Sequence, residues 1–229
     1  MLTRKPLPQH QEKDWFTFSA TLMLRVSSDY IAMRLLHQLE PLTAAPTICV
    51  LMVEVVEKAL KLHLAVQTQT SKALSDMGSG YGHNIEALRQ ACAGYVPVFA
   101  DSDVRDFTKH LNDRNGKLYQ MLRYGSQGTT DGFSTNLSTL RPVVDKIFCE
   151  SMLQLPENIR RVLLSPSPLK QLIVNSQFDQ SRHPTELIEA LKRDNAYFAT
   201  FADYCHRIEK EQADLLAKMT VEQQKPGDA

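Results

Sequence analysis

The most apolar stretch of the chain is residues 48–66, and its pattern is helical. Ile48, Leu51, Met52, Val55, Ala59, Leu62 and Val66 recur at steps of three and four or their multiples, while Val53, Val56, Leu60 and Leu64 add apolar surface on a second side. Glu54, Glu57, Lys58 and Lys61 form its polar strip. A helix that is apolar around most of its circumference is normally covered by neighbours. Residues 48–66 are therefore the expected central helix of an all-α domain.

The other elements follow from the same spacing. Residues 14–40 carry the stripe Trp15, Phe18, Leu22, Val26, Tyr30, Met33 and Leu36, with Asp14 placed to cap the first turn. The link from Pro41 to Pro46 is short, which favours an antiparallel neighbour, and Thr47 is placed to cap the central helix. Asn84 before Ile85, Leu88 and Cys92 predicts a short capped helix stopped by Gly94 and Pro97. The next helix starts at Asp101 or Ser102, turns Val104, Phe107, Leu111, Leu118 and Leu122 inward, and ends near Gly125.

Residues 125–139, rich in Gly, Ser and Thr, read as a connector. Pro142 suits the first turn of the helix that follows, with Val143, Ile147 and Leu153 on its apolar side. Pro156, Pro166 and Pro168 divide the next region into two short helices around Arg160 and Lys170. From His183 the series Leu187, Leu191, Phe198, Phe201, Cys205, Ile208, Leu215 and Met219 predicts one long helix. At ~35 residues it would span roughly 50 Å, enough to bridge the bundle or pair with a second copy. Asp194 and Gln212 interrupt its seam. The implied organisation is a flexible leader over 1–13, a bundle over 14–155, a C-terminal helical extension over 156–219 packed on or beyond the bundle, and a disordered tail over 220–229.

Composition narrows the function classes. The 229 residues hold 26 basic and 26 acidic side chains, so no global field draws the chain to nucleic acid or anionic lipid, and such binding needs a local patch. Cys49, Cys92, Cys149 and Cys205 are scattered through apolar patterns and read as buried free thiols in a reducing compartment. Residues 1–13 lack an apolar signal core, and the apolar stretches carry charges. A cytoplasmic location, with no membrane partner, is expected. The seven histidines show no metal-ligand spacing, and the Gly-rich run 77–84 lacks the Gly-Lys-Ser/Thr ending of a phosphate loop. No metal or cofactor is expected.

Three segments in order carry a family resemblance. Val53-Glu-Val-Val-Glu-Lys-Ala-Leu-Lys-Leu62 resembles the E-x-x-L-K helix of HEPN domains. Gly82-His-Asn-Ile-Glu-Ala-Leu88 resembles the G-H-[ND]-L-x-x-L turn and helix that follows in that family. Leu111-Asn-Asp-Arg-Asn-Gly-Lys-Leu-Tyr-Gln-Met-Leu-Arg-Tyr-Gly125 resembles its later helix, which often closes in R-Y-P or R-Y-G. The resemblance spans residues 14–148, and the final helix is an addition to it. It implies an antiparallel helical bundle that often dimerises. The functions it implies are RNA cleavage in toxin–antitoxin and antiviral defence systems, nucleotide binding, or non-catalytic interaction.

The RNase branch of that family uses an Arg and a His four to six residues apart, with a polar residue after the Arg. Here Arg114 and Asn115 are present, but Tyr119 stands where the His would be. His supplies acid–base chemistry because it titrates near neutrality, whereas a Tyr near pKa ~10 is a poor base at pH 7. Arg114 retains the capacity to hold phosphate. His110, one turn before Arg114, offers a reversed pair.

The leading expectation is a HEPN-like module that binds a protein, nucleotide or RNA partner without catalysis of its own, as a homo-oligomer or with a protein partner. Its ligand-binding candidates are Glu54, Lys58, Lys61, His83 and Arg123. The alternative is a metal-independent dimeric ribonuclease using Arg114, Asn115, Tyr119 and His110. Structural expectations stand beside these. The charged strip reads as a solvated seam, Arg123 as a partner for Glu54 or Glu57, and His63 as a satisfied, partly buried imidazole.

Overall fold

Apolar burial places residues 48–66 at the middle of a stack of helices. The computed structural model describes residues 9–39, 41, 43–70, 84–112, 137–178 and 185–223. Among these residues every regular element is helical and none is a strand. The α-helices are α1 (Gln9–Leu39), α2 (Ala45–Thr68), α3 (Ile85–Ala93), α4 (Ser102–Asn112), α5 (Leu137–Leu153), α6 (Glu157–Leu164), α7 (Pro168–Phe178), α8 (Thr185–Lys192) and α9 (Phe198–Gln223). A single 3₁₀ turn, Pro97–Ala100, separates α3 from α4.

Helix α2 packs against α1, α3 and α5, and buries residues on most of its circumference, Glu57 of the charged strip included. Helices α1 and α2 form an antiparallel pair, because Lys58 meets Asp29 at equal distances along the chain from the short link. Helix α5 runs antiparallel to α1 by the same logic, with Arg34 on Asp145 and His37 on Arg141. At their crossing the ring of Tyr30 stacks on Phe148 at 4.1 Å, and Phe148 touches Phe201 of α9 at 5.7 Å. Tyr30, Phe148 and Phe201 are fully buried, each worth on the order of 2–3 kcal/mol in removed apolar surface.

Several local expectations hold. Asn84 caps α3 by accepting from the Ala87 amide at 3.0 Å, and Ile85, Leu88 and Cys92 are buried. Val104, Phe107 and Leu111 are buried on α4. Pro156 and Pro168 mark the starts of α6 and α7.

Others are corrected. Helix α1 begins at Gln9, so Asp14 lies inside it and not at its cap, and residues 9–13 of the expected leader are helical, while residues 1–8 lie outside the described residues. Helix α2 begins after Ala44 with no side-chain cap, and Thr47 lies in its first turn. Pro46 serves there instead, since its fixed φ already matches a helix start. Helix α5 starts at Leu137, so residues 137–139 of the expected connector are helical and Pro142 is interior. Pro142 removes one ladder bond near the helix start, and burial of Val144, Ile147, Phe148, Cys149 and Met152 outweighs it.

The expected single C-terminal rod is two helices. It breaks after Lys192, where Asp194 takes φ 51, a left-handed conformation that ends an α-helix. Helix α8 packs on α1, and the first half of α9 packs on α5 and α7. The expected positions Leu118 and Leu122, the Gly-rich segment before His83, and residues 224–229 of the tail lie outside the described residues.

Candidate polar sites between the helices

The charged strip of α2 is closed by ion pairs. Lys58 bonds Asp29 of α1 and lies 2.9 Å from Glu54, while Lys61 donates to Glu57 at 2.6 Å. Glu57 is only 5 % exposed, so the strip is not the solvated seam expected of it. It lies against α1, and its cations are already held by carboxylates one helical turn away or across the hairpin. Of the remaining sequence candidates, His110 lies exposed near the end of α4. His83, Arg114, Asn115, Tyr119 and Arg123 lie outside the described residues.

A second cluster, not anticipated as a site, joins α1, α5 and the α8–α9 elbow. Asp145 is fully buried and accepts from Arg34 at 2.9 Å and from the Tyr30 hydroxyl at 2.8 Å. The other guanidinium nitrogen of Arg34 donates to the carbonyls of Ala190 at 2.8 Å and Leu191 at 3.3 Å, and to that of Arg193. Ala190 and Leu191 supply carbonyls of the last turn of α8 that helix geometry leaves without amide partners, and Arg193 is the first residue past it. Asn195 completes the elbow, donating to the Tyr30 oxygen at 2.7 Å and to the Leu191 carbonyl at 3.1 Å. Arg141 donates to His37 Nδ1 at 3.2 Å and to the Asp194 carbonyl at 3.4 Å.

The electrostatics of this cluster follow from burial. Burial pushes the Asp145 carboxyl up to about 6, against the pull of Arg34, the Tyr30 hydroxyl and Arg141. Burial also raises the Tyr30 hydroxyl and the Cys149 thiol, which lies 3.8 Å from Tyr30. His37 is lowered by burial and by the two neighbouring guanidiniums. An arginine has only donors, so its bond to His37 Nδ1 requires a neutral imidazole protonated at Nε2. None of these shifts prepares a nucleophile; the cluster fixes the elbow.

Two further polar sites are internal. Glu86 of α3 accepts from Arg89 at 2.8 and 2.6 Å, from Thr108 of α4 at 2.6 Å and from Gln90 at 2.9 Å. Burial would raise its pKa, but these donors hold it down to about 2. Arg89 also donates to the Phe99 carbonyl at 2.8 Å, so one ion pair ties α3, the 3₁₀ turn and α4 together. His63 of α2 is buried edge-on to Phe99, its Nε2 lacks a hydrogen-bond partner, and burial lowers its pKa to about 3. The expected partly buried imidazole is corrected to a buried one, and it is satisfied on one side only, since a hydrogen bond with the Ser151 backbone opposes the effect of burial while Nε2 has no partner. The Ser151 hydroxyl of α5 is likewise buried with no partner.

The end of α9 is the contrasting surface. Leu215, Leu216 and Met219 are 60 %, 65 % and 50 % exposed. Among the described residues no group of three or more His, Cys, Asp or Glu side chains is placed to hold a metal ion, and no helix is long and apolar enough to cross a membrane. All four cysteines are free and buried.

What these geometries define is an all-α helical bundle with internal ion pairs and one apolar projection. Comparison with protein-family models, with curated proteins and with solved structures finds no match.

Proposed function

We propose that the protein is a HEPN-like helical module that engages a protein partner through the projecting end of α9, in a bacterial defence or toxin–antitoxin setting, without catalysis of its own. The observation that carries this reading is the exposure of Leu215, Leu216 and Met219 on consecutive turns of one helix. Contiguous apolar side chains on a surface mark a contact site. The strip of Glu54, Lys58 and Lys61 supports it from the other side, because those charges are spent on Asp29, Glu54 and Glu57. Nucleotide or RNA binding would need residues beyond that strip, and Arg114 is the cation the family resemblance offers for it.

Co-expression with the products of adjacent genes, followed by size-exclusion chromatography, tests the reading. A stable complex that Leu215→Glu with Met219→Glu removes is the expected result. Incubation with total RNA tests the ribonuclease alternative. Cleavage that is lost in a folded Arg114→Ala variant would overturn a non-catalytic role.

A further inference from the structure

Hydroxyls inside the helices of this chain have a habitual partner. Ser19, Thr21, Ser28 and Thr68 each donate to the carbonyl four residues back, at 2.7–2.9 Å. Buried Ser27 pairs instead with Ser167 at 2.8 Å. Ser151 does neither: it is fully buried on α5, and its hydroxyl has no hydrogen-bond partner.

His63 stands across the contact between α2 and α5 and is only 4 % exposed. Its ring is hydrogen-bonded with the Ser151 backbone, and its Nε2 has no partner. That bond favours the protonated ring, so the ring donates and the Ser151 carbonyl accepts. Burial holds the imidazole neutral, which leaves one nitrogen a donor and the other an acceptor. Nδ1 is then the donor to the carbonyl, and Nε2 carries the open lone pair. Two orphaned polar atoms thus belong to residues already in contact. A buried polar atom left without a partner costs roughly tenfold in the folding equilibrium.

We propose that His63 Nε2 and Ser151 Oγ together bind one internal water molecule, held between α2 and α5 beside Phe99 of the 3₁₀ turn. Water has the chemistry the pair requires. It donates to the Nε2 lone pair and accepts from the Ser151 hydroxyl. Two successive hydrogen bonds of ~2.8 Å span the gap between side-chain atoms of two touching residues. Two protein partners meet the minimum that holds a buried water. Phe99 is fully buried and meets His63 edge-on, at 5.4 Å between ring centres, which walls the imidazole on that side. A metal ion is a poorer occupant, because one imidazole and one neutral hydroxyl supply two ligands and no charge. An anion is poorer still, because Nε2 has no proton to give.

Oxygen-17 relaxation dispersion on the full chain provides the test, since it counts long-lived water molecules and is blind to exchanging hydroxyl protons. From wild type to Ser151→Val the amplitude is expected to fall by one water per chain. His63→Leu is expected to show the same loss, which keeps the count readable should Ser151→Val fail to fold. Ser28→Ala, at an exposed position, leaves the amplitude unchanged. The nitrogen-15 spectrum at pH 7 should show the His63 proton on Nδ1. In urea denaturation, the unfolding constant of His63→Leu with Ser151→Ala should depart roughly fivefold from the product of the two single effects, because both groups share one partner. An amplitude unchanged in both variants, or a proton on Nε2, overturns the site. Coupling without a lost water overturns it as well and assigns the two atoms to a direct bond.

Discussion

Burial decides the behaviour of individual side chains here, and two of them titrate in opposite directions. His63 is neutral in the folded chain down to about pH 3, whereas its unfolded counterpart takes a proton near 6.5. The unfolded state therefore binds the proton first, and stability is lost as pH falls below 6.5, by about 1.4 kcal/mol per unit. Chemical denaturation of wild type and His63→Leu at pH 7.5, 6 and 5 checks this, and the variant is expected to show the flatter profile. Asp145 has the reverse sign. Its folded carboxyl takes a proton near 6 and its unfolded one near 3.8, so its contribution to stability rises as pH falls through that window. At neutral pH its ionised form is paired with Arg34, and both side chains are buried. Asp145→Asn leaves that guanidinium without its counter-charge and is expected to cost about 3–5 kcal/mol in urea denaturation. The sequence held a faint sign of this cluster. Tyr30 lies in the apolar stripe of α1, and Arg34 follows it by one turn. Asp145 stands between the buried Val144 and Phe148 on α5. A charge inside an apolar stripe signals a buried partner, but no local rule connects positions 111 residues apart.

At the scale of elements, helix periodicity was legible and helix ends were less so. Asn84 announced α3 because a cap is a local bond between a side chain and an amide three residues on. The α8–α9 break was not legible, because the three-and-four spacing resumes on the far side of the elbow. Only the conformation of Asp194 and the reach of Arg34, Tyr30 and Asn195 reveal the interruption. Pro142 misled for a related reason: a proline is favoured at a helix start, yet packing of α5 on α2 and its side-chain contacts to Tyr30 and Arg34 of α1 carry the helix through it. The elbow yields its own prediction. Asn195→Ala removes bonds to Tyr30 and Leu191 and is expected to cost ~1–2 kcal/mol. Hydrogen exchange should then quicken in residues 187–198 before it does in α2 or α5.

Across the whole molecule, the bundle and the projection are energetically separate. Among the described residues one core cluster draws in side chains from Trp15 to Ile208, and the exposed residues of α9 begin just beyond it. A chain ending at Glu211 should therefore unfold within a few degrees of the full chain at micromolar concentration, as differential scanning calorimetry would show. The central helix and the all-helical class were readable because burial on most sides of α2 needs only periodicity to detect. The resemblance motif around Arg114 and Arg123 falls outside the described residues, so its chemistry rests on sequence alone. One consequence concerns the four sulfhydryls. Cys49, Cys92, Cys149 and Cys205 are all buried among the helices, and burial raises the pKa of each thiol, which keeps it protonated and unreactive. A colourless aromatic disulfide reagent added to the native chain should thus colour only as fast as molecules open, giving an optical clock of spontaneous unfolding that needs no denaturant and no label.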